Sequence, residues 1–353
     1  MTLTANDEAA ALELLHDTGC TDGLPVVIPT PDRVARLVLA SGLDGDLDLG
    51  AMGPGGGAAT IEKISINAVM AGCLPDHVAV VLAAVRAILQ PEFDLGEMQG
   101  TTHSTAPLMI VNGPVVHHCG IASGFGALGP GHRANVSIGR AVRLCMMNIG
   151  GARPGTSDMA LLGHPGKFSF CLAEDETSSP WEPLAQSMGA ARGDSTATVL
   201  GAEAPHSMIF VNDGDDPDSP HRLLRSVAAV IANTGSNNAS FGAGAVAVAL
   251  NPEHAEVLGK AGLSRIDVQT ELWRLATNRR GDLRRLNPGF VRPGDDDDEI
   301  RALRRPEDAI VFVAGGSGLY SSVFPSWAAG AHHNPVVSEQ IVTDEACEIP
   351  FAR

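Results

Sequence analysis

The chain has 353 residues, 44% of them hydrophobic and 18% charged, with a formal net charge of −17 at pH 7. That length and apolar content support a sizeable core in one large domain or two packed halves, and the negative charge opposes binding to nucleic acid or to an anionic bilayer. The first 20 residues are acidic and helical in pattern and no apolar run is long enough to span a bilayer, so the expected location is the cytoplasm.

Asp7 to His16 reads as a capped helix, Leu24 to Ile28 as a short strand, and Thr30-Pro31-Asp32 as the opening of a second helix. The run Gly53-Pro54-Gly55-Gly56-Gly57 then leads into a small-residue helix that ends at Gly72-Cys73, and Pro75 is placed to start another helix running to about Leu89. Glycine backbone ahead of a helix N-terminus can bring N–H donors close to an anion. Lys63 lies in the first turns, where the helix dipole disfavours a cation unless an anion is recruited, and Asn67 shares its face. Cys73, just before the next helix, stands where a thiolate would be stabilised. The competing reading is a plain loop with Cys73 as a small buried hydrophobe.

Further along, Pro107 to Asn112 reads as a buried strand, Arg133 to Asn148 as a helix, and Lys167 to Leu172 and Ser207 to Val211 as strands. A helix at about Pro220 to Ala232, a strand at Ala245 to Leu250, two helices between Pro252 and Thr277 and a strand at Ala309 to Ala314 complete an α/β pattern with mixed sheets and Gly-rich loops. Two stretches echo each other. His103-Ser104 leads into Leu-Met-Ile-Val-Asn112-Gly113, and His206-Ser207 leads into Met-Ile-Phe-Val-Asn212-Asp-Gly214. The echo suggests a duplication into two similar, intimately packed halves, 1–190 and 191–353, with the boundary between Ser178 and Ser195 and the two His/Asn sets converging on one site.

His103 on a loop suits general acid/base work. His117-His118 beside Cys119 offer metal ligands, but neighbours on an extended segment point to opposite faces, so no metal is expected. Gly120 to Gly131 reads as an anion site or a mobile cover, and Gly235 to Ser240 as neutral groups that orient a ligand or cap a helix. Gly315-Gly316-Ser317-Gly318 lacks the Walker lysine and does not complete a dinucleotide fingerprint, so no cofactor is expected. Cys20, Cys73, Cys119, Cys145, Cys171 and Cys347 form no CxxC pair and read as free thiols, and Cys171 beside Glu174-Asp175-Glu176 is a poorer nucleophile than Cys73. Asp295 to Asp298 reads as solvated surface.

Thr21-Asp-Gly-Leu-Pro-Val-Val-Ile-Pro-Thr30, Ile66-Asn-Ala-Val-Met-Ala-Gly-Cys73, Thr101-Thr-His103, Ile110-Val-Asn-Gly-Pro114, Gly150-Gly-Ala-Arg-Pro154, Phe170-Cys171, Ser236-Asn-Asn238 and Pro252-Glu-His-Ala255 together resemble a large, poorly characterised bacterial family. That family is associated with partner proteins bearing a UGSC (seleno)cysteine motif, which is absent here. The resemblance implies an enzyme or enzyme subunit, with Glu62, Lys63, Asn67, Cys73, His103, Asn112, Cys171, His206 and Asn238 at matching positions. Cys20, Cys119 and the tail after Gly318 depart from the pattern, which points to a specialised member, as in secondary metabolism.

The expected function is a cofactor-independent, thiol-dependent enzyme, a lyase, hydrolase or transferase, acting on a small anionic organic substrate. Cys73, His103, Lys63 and Glu62 are the expected catalytic residues, and Gly55, Gly56, Gly57, Asn67, Asn112, His206 and Asn238 the substrate-binding ones. A homo-oligomer is expected, with a redox protein as a further partner. A non-catalytic binding or scaffold subunit of a thiol/selenol redox complex and a metalloenzyme using His103, His117 or His206 are the alternatives.

Overall fold

The computed structural model describes residues 3–291 and 293–342, so Cys347 lies outside the described residues. Helices α1 (Glu8–Asp17) and α2 (Pro31–Ser41) begin at Asp7 and Thr30, whose side chains accept the N–H groups of Ala10 and Arg33. Between them the segment expected to be a strand at Leu24 to Ile28 is irregular, joins no strand, and is tied to α3 by Val27 N–H to Met70 O at 3.1 Å. The glycine run turns a hairpin between β1 (Asp48–Met52) and β2 (Gly57–Thr60), and Thr60 caps α3 (Ile61–Ala71). A single turn from Pro75 then leads into α4 (Val78–Leu89).

Next come α5 (Leu95–Gly100), β3 (Ala106–Asn112), α6 (Val115–Cys119), α7 (Arg133–Asn148), β4 (Cys171–Ala173), α8 (Leu184–Ser187), β5 (Thr196–Ala202) and β6 (His206–Ile209). The second part runs through α9 (Ser219–Ile231), α10 (Asn237–Phe241), β7 (Val246–Leu250), α11 (Pro252–Lys260), α12 (Arg265–Leu275), β8 (Thr277–Arg279), α13 (Arg280–Leu286), β9 (Glu299–Arg301), β10 (Ala309–Val313), β11 (Tyr320–Phe324) and β12 (Val337–Gln340). Asp296, Asp297 and Asp298 of the acidic run pair with Arg284, Arg279 and Arg280 at the surface. No helix among the described residues is long and apolar enough to cross a membrane.

Two four-stranded mixed sheets, ordered β12-β5-β3-β4 and β6-β11-β7-β10, pack with helices outside and the sheets face to face. Strand alternation builds these layers. In β7, Val246, Val248 and Leu250 join the core formed with α9, α11 and α12, while Ala247 and Ala249 face Leu108, Ile110 and Leu172 of the other sheet. On the outer face of the first sheet, Met109, Val111, Cys171 and Val199 pack with α3, α4 and α7. Strands buried on both faces give the continuous apolar runs seen in the sequence.

From the edge inward, each sheet pairs antiparallel, antiparallel, then parallel. This makes β3 the counterpart of β7, β4 of β10, β5 of β11 and β12 of β6. Hydrogen bonds repeat accordingly: Glu174 N–H to Val111 O matches Ala314 N–H to Leu250 O, and Ile341 N–H to Ser195 O matches Phe210 N–H to Leu319 O. Ala202 and Ser326, equivalent by this register, bridge each other, flanked by Glu203 N–H to Pro325 O and Trp327 N–H to Gly201 O. They mark a pseudo-two-fold axis.

The structure therefore contains an internal repeat of strand order and pairing, but not the one expected from the sequence. Asn112 corresponds to Asn251, not Asn212, and β6 is not a second β3. It is an edge strand that the first repeat gives to the second repeat's sheet, as β12 is given in return. A boundary at 190 falls between β4 and β5, inside the first sheet, so the halves 1–190 and 191–353 are not separate units.

Candidate functional site

The opening glycine motif forms no anion cradle. Gly55 N–H donates to Gly150 O and Gly56 N–H to Met52 O, both at 2.8 Å, and Gly57 sits in the β1–β2 ladder. A Cβ on Gly57 would stand 2.1 Å from Ile149 O, so glycine is needed here for close backbone packing. Lys63 is exposed and donates to Ala58 O at 2.9 Å, and neighbouring Glu62 is exposed too. Asn67 is buried and ties α3 to α7: it donates to Lys63 O and accepts from Asn148 Nδ2 at 2.7 Å.

Cys73 departs from its expected role. Its thiol is buried, donates to Ser137 O at 3.3 Å, and is held well above the ordinary thiol range by burial, with Cys145 and Cys171 adding to the effect. Burial likewise pushes Cys119 and Cys171 up to about 12. Of the five described cysteines only Cys20 is half-exposed. Iodoacetamide on the native protein is therefore expected to alkylate Cys20 well before Cys73, Cys119, Cys145 or Cys171, as read by peptide mass spectrometry. Early labelling of Cys73 would restore it as a nucleophile.

The two His/Asn sets do not converge. His206 is exposed on the edge strand β6, opposite Val323. Asn238 is fully buried and structural, accepting from Ser326 N–H at 2.9 Å and donating to Ala302 O. Asn112 ends β3 in a buried cluster where its amide donates to Glu174 at 2.5 Å and Glu176 at 2.9 Å, and Arg265 of α12 pairs with Glu174 at 3.1 Å. His117 and His118 lie on the helix α6, exposed, while Cys119 beside them is buried. Among the described residues no group of three or more His, Cys, Asp and Glu side chains is arranged to hold a metal.

His103 sits where the repeats meet. Asn237 Nδ2 reaches both Trp327 O and His103 Nδ1 at 2.9 Å. The carbonyl identifies that amide atom as the donor, so Nδ1 accepts and Nε2 carries the proton toward Glu203, 3.0 Å away. Both ring nitrogens are engaged, so His103 holds no free lone pair for a substrate.

The chemistry that is open lies in a cavity of about 430 Å³ walled by Arg143 and Met147 of α7 and by the loop that carries Pro154, Asp158, Leu162, His164, Lys167 and Phe168. Met159 N–H to Gln99 O, Leu161 N–H to Thr102 O and Gly163 N–H to Ser104 Oγ fasten this loop beside the end of α5 and the segment after it. Asp158 accepts from Arg143 Nη2 at 2.6 Å and from Lys167 Nζ at 2.9 Å, and all three side chains are largely buried. Burial raises the Asp158 carboxyl, but the hydrogen bonds and charges of Lys167 and Arg143 outweigh it and hold the group below its usual range. Burial, helped by the Arg143 charge, lowers Lys167 by more than Asp158 restores, leaving the ammonium easier to deprotonate than a free lysine.

Gln99, 1% exposed, accepts from Arg143 Nη1 at 3.5 Å and leaves its own Nε2 without a partner. His164 is held near 4 by burial and by the Lys167 charge, so it is neutral at pH 7. Its Nδ1 accepts from Gly166 N–H, and Nε2 faces the Ala202 carbonyl without closing a hydrogen bond of ordinary geometry. Asp22, also on the wall, is neutralised by two 2.8 Å bonds from Arg140. A second cavity, of about 600 Å³, is lined by Asp213, Asp216, Glu253 and Glu256 and lacks such buried cations.

Sequence reasoning missed Arg143, Asp158 and Lys167. The usable signal is an arginine in α7 within the otherwise apolar run from Ala141 to Met147. Comparison with protein-family models, with curated proteins and with solved structures finds no match to this chain.

Proposed function

We propose that the chain is an enzyme that moves a proton on a small anionic organic molecule bound in the Arg143 cavity, a lyase or hydrolase step that does not use a thiol. One observation carries the reading: two buried cations share a single carboxylate on the cavity wall, leaving one positive charge without a partner in the lining. Arg143 anchors the anion. Lys167, held below its ordinary range, gives and takes the proton, and Asp158 fixes both cations. The His103–Glu203–Asn237 chain positions the neighbouring segment to which the cavity loop is fastened.

Incubation with an extracted metabolite pool, followed by mass spectrometry, tests the reading. The wild-type protein is expected to deplete an anionic metabolite, and Lys167→Met to do so at least about 100-fold more slowly, the usual size of a lost general acid or base. If the wild type retains a metabolite through gel filtration but converts none, the non-catalytic binding reading replaces the enzymatic one.

A further inference from the structure

Resting on the anion-holding cavity proposed above, we infer that its ligand is an apolar monocarboxylate, an aliphatic or aryl acid, rather than a dianion or a phosphate. Charge decides the first half. Arg143 and Lys167 face Asp158 alone, because Asp22 is occupied by Arg140, so the lining has room for one negative charge. A second carboxylate would be desolvated without a partner, which folded proteins avoid.

The rest of the wall decides the second half. Met147, Pro154, Ala160, Leu162, Pro165 and Phe168 present hydrocarbon to the remaining space. At the mouth the apolar surface continues outward: Leu162 is 94% exposed, Leu161 84% and Phe168 46%, three large side chains on one short loop. Large apolar residues gathered beside a concave site mark binding surface rather than background. A carboxylate held at the Arg143–Lys167 end with its hydrocarbon along Met147 and Phe168 uses every feature of this lining.

Thermal-shift and calorimetric titration of the intact chain at pH 7.5 with hexanoate, phenylacetate, succinate, inorganic phosphate and phenylacetamide test this. Hexanoate or phenylacetate is expected to bind saturably, at least tenfold tighter than succinate or phosphate, and phenylacetamide not at all. Arg143→Met is expected to abolish binding while Lys167 still neutralises Asp158, and Leu162→Asp, at an exposed position that folding does not need, to weaken it more than tenfold. Succinate or phosphate binding as tightly as the monocarboxylates, and lost in Arg143→Met, overturns the ligand class but keeps the anion cavity. Binding by none of the anions, or binding that Arg143→Met and Leu162→Asp leave unchanged, overturns both.

Discussion

Arg265→Met is expected to lower folding stability by about 3–5 kcal/mol, a large share of the 5–15 typical of a whole domain. Arg265 is 5% exposed and its partner Glu174 is 2% exposed, and burial already raises the Glu174 carboxyl above its usual range. Removing the guanidinium leaves that charge with hydrogen bonds from Leu184 N–H at 2.7 Å and Asn112 Nδ2, but without a counter-ion. The pH dependence has a definite sign. A carboxyl whose folded-state pKa is raised above its unfolded value loses stability as pH rises, so the Arg265→Met defect should be largest at neutral pH and shrink as the pH falls and Glu174 takes up a proton. Glu174→Gln in the same chain should recover most of the loss. Urea denaturation of the single and double variants at pH 5 and 7.5 measures this, and a single-variant loss below about 1 kcal/mol would show that the pair is not held as a desolvated charge pair.

Cutting the chain between Gly214 and Asp215, in an exposed loop, is expected to give two fragments that fold together and not apart. Fragment 1–214 keeps β3, β4 and β5 but lacks β12, and its β6 has no sheet to join; fragment 215–353 lacks β6 and carries β12 with no partner. Each alone would also expose the face that packs between the sheets, including Leu108, Ile110 and Leu200 on one side and Phe312 and Phe324 on the other. Unpaired edges and an open apolar face lead to aggregation. Co-expression should yield a one-to-one complex with the circular dichroism and cooperative melt of the intact protein. A fragment that melts cooperatively as a monomer on its own would contradict the exchange.

Much of this fold was legible where the forces are local. Asp7 and Thr30-Pro31 announce their helices by capping, and the apolar runs of β3, β7 and β10 identify buried strands. The errors arose where partners are distant in sequence. Gly55 resembles a free donor until Gly150 supplies its acceptor, and Cys73 an activated thiol until α7 closes over it. The similarity of His103-Ser104 to His206-Ser207 masked the real repeat, in which Asn112 ends and Asn251 directly follows an interior strand, each leading toward a helix. The Arg143–Asp158–Lys167 group was out of reach for the same reason: its members are joined by a loop without periodicity, and only folding reveals that they share one carboxylate.

The exchanged strands also limit how this molecule can move. Many two-lobed enzymes admit ligands by hinging one lobe away from the other. Here such a hinge would have to strip β6 from β11, β12 from β5, and the Ala202–Ser326 bridge between them, breaking ladder hydrogen bonds in both sheets at once. The two repeats are riveted together like crossed staves. A ligand of the Arg143 cavity would therefore have to enter past the cavity's own loop, where Leu162 is exposed, without the two repeats parting.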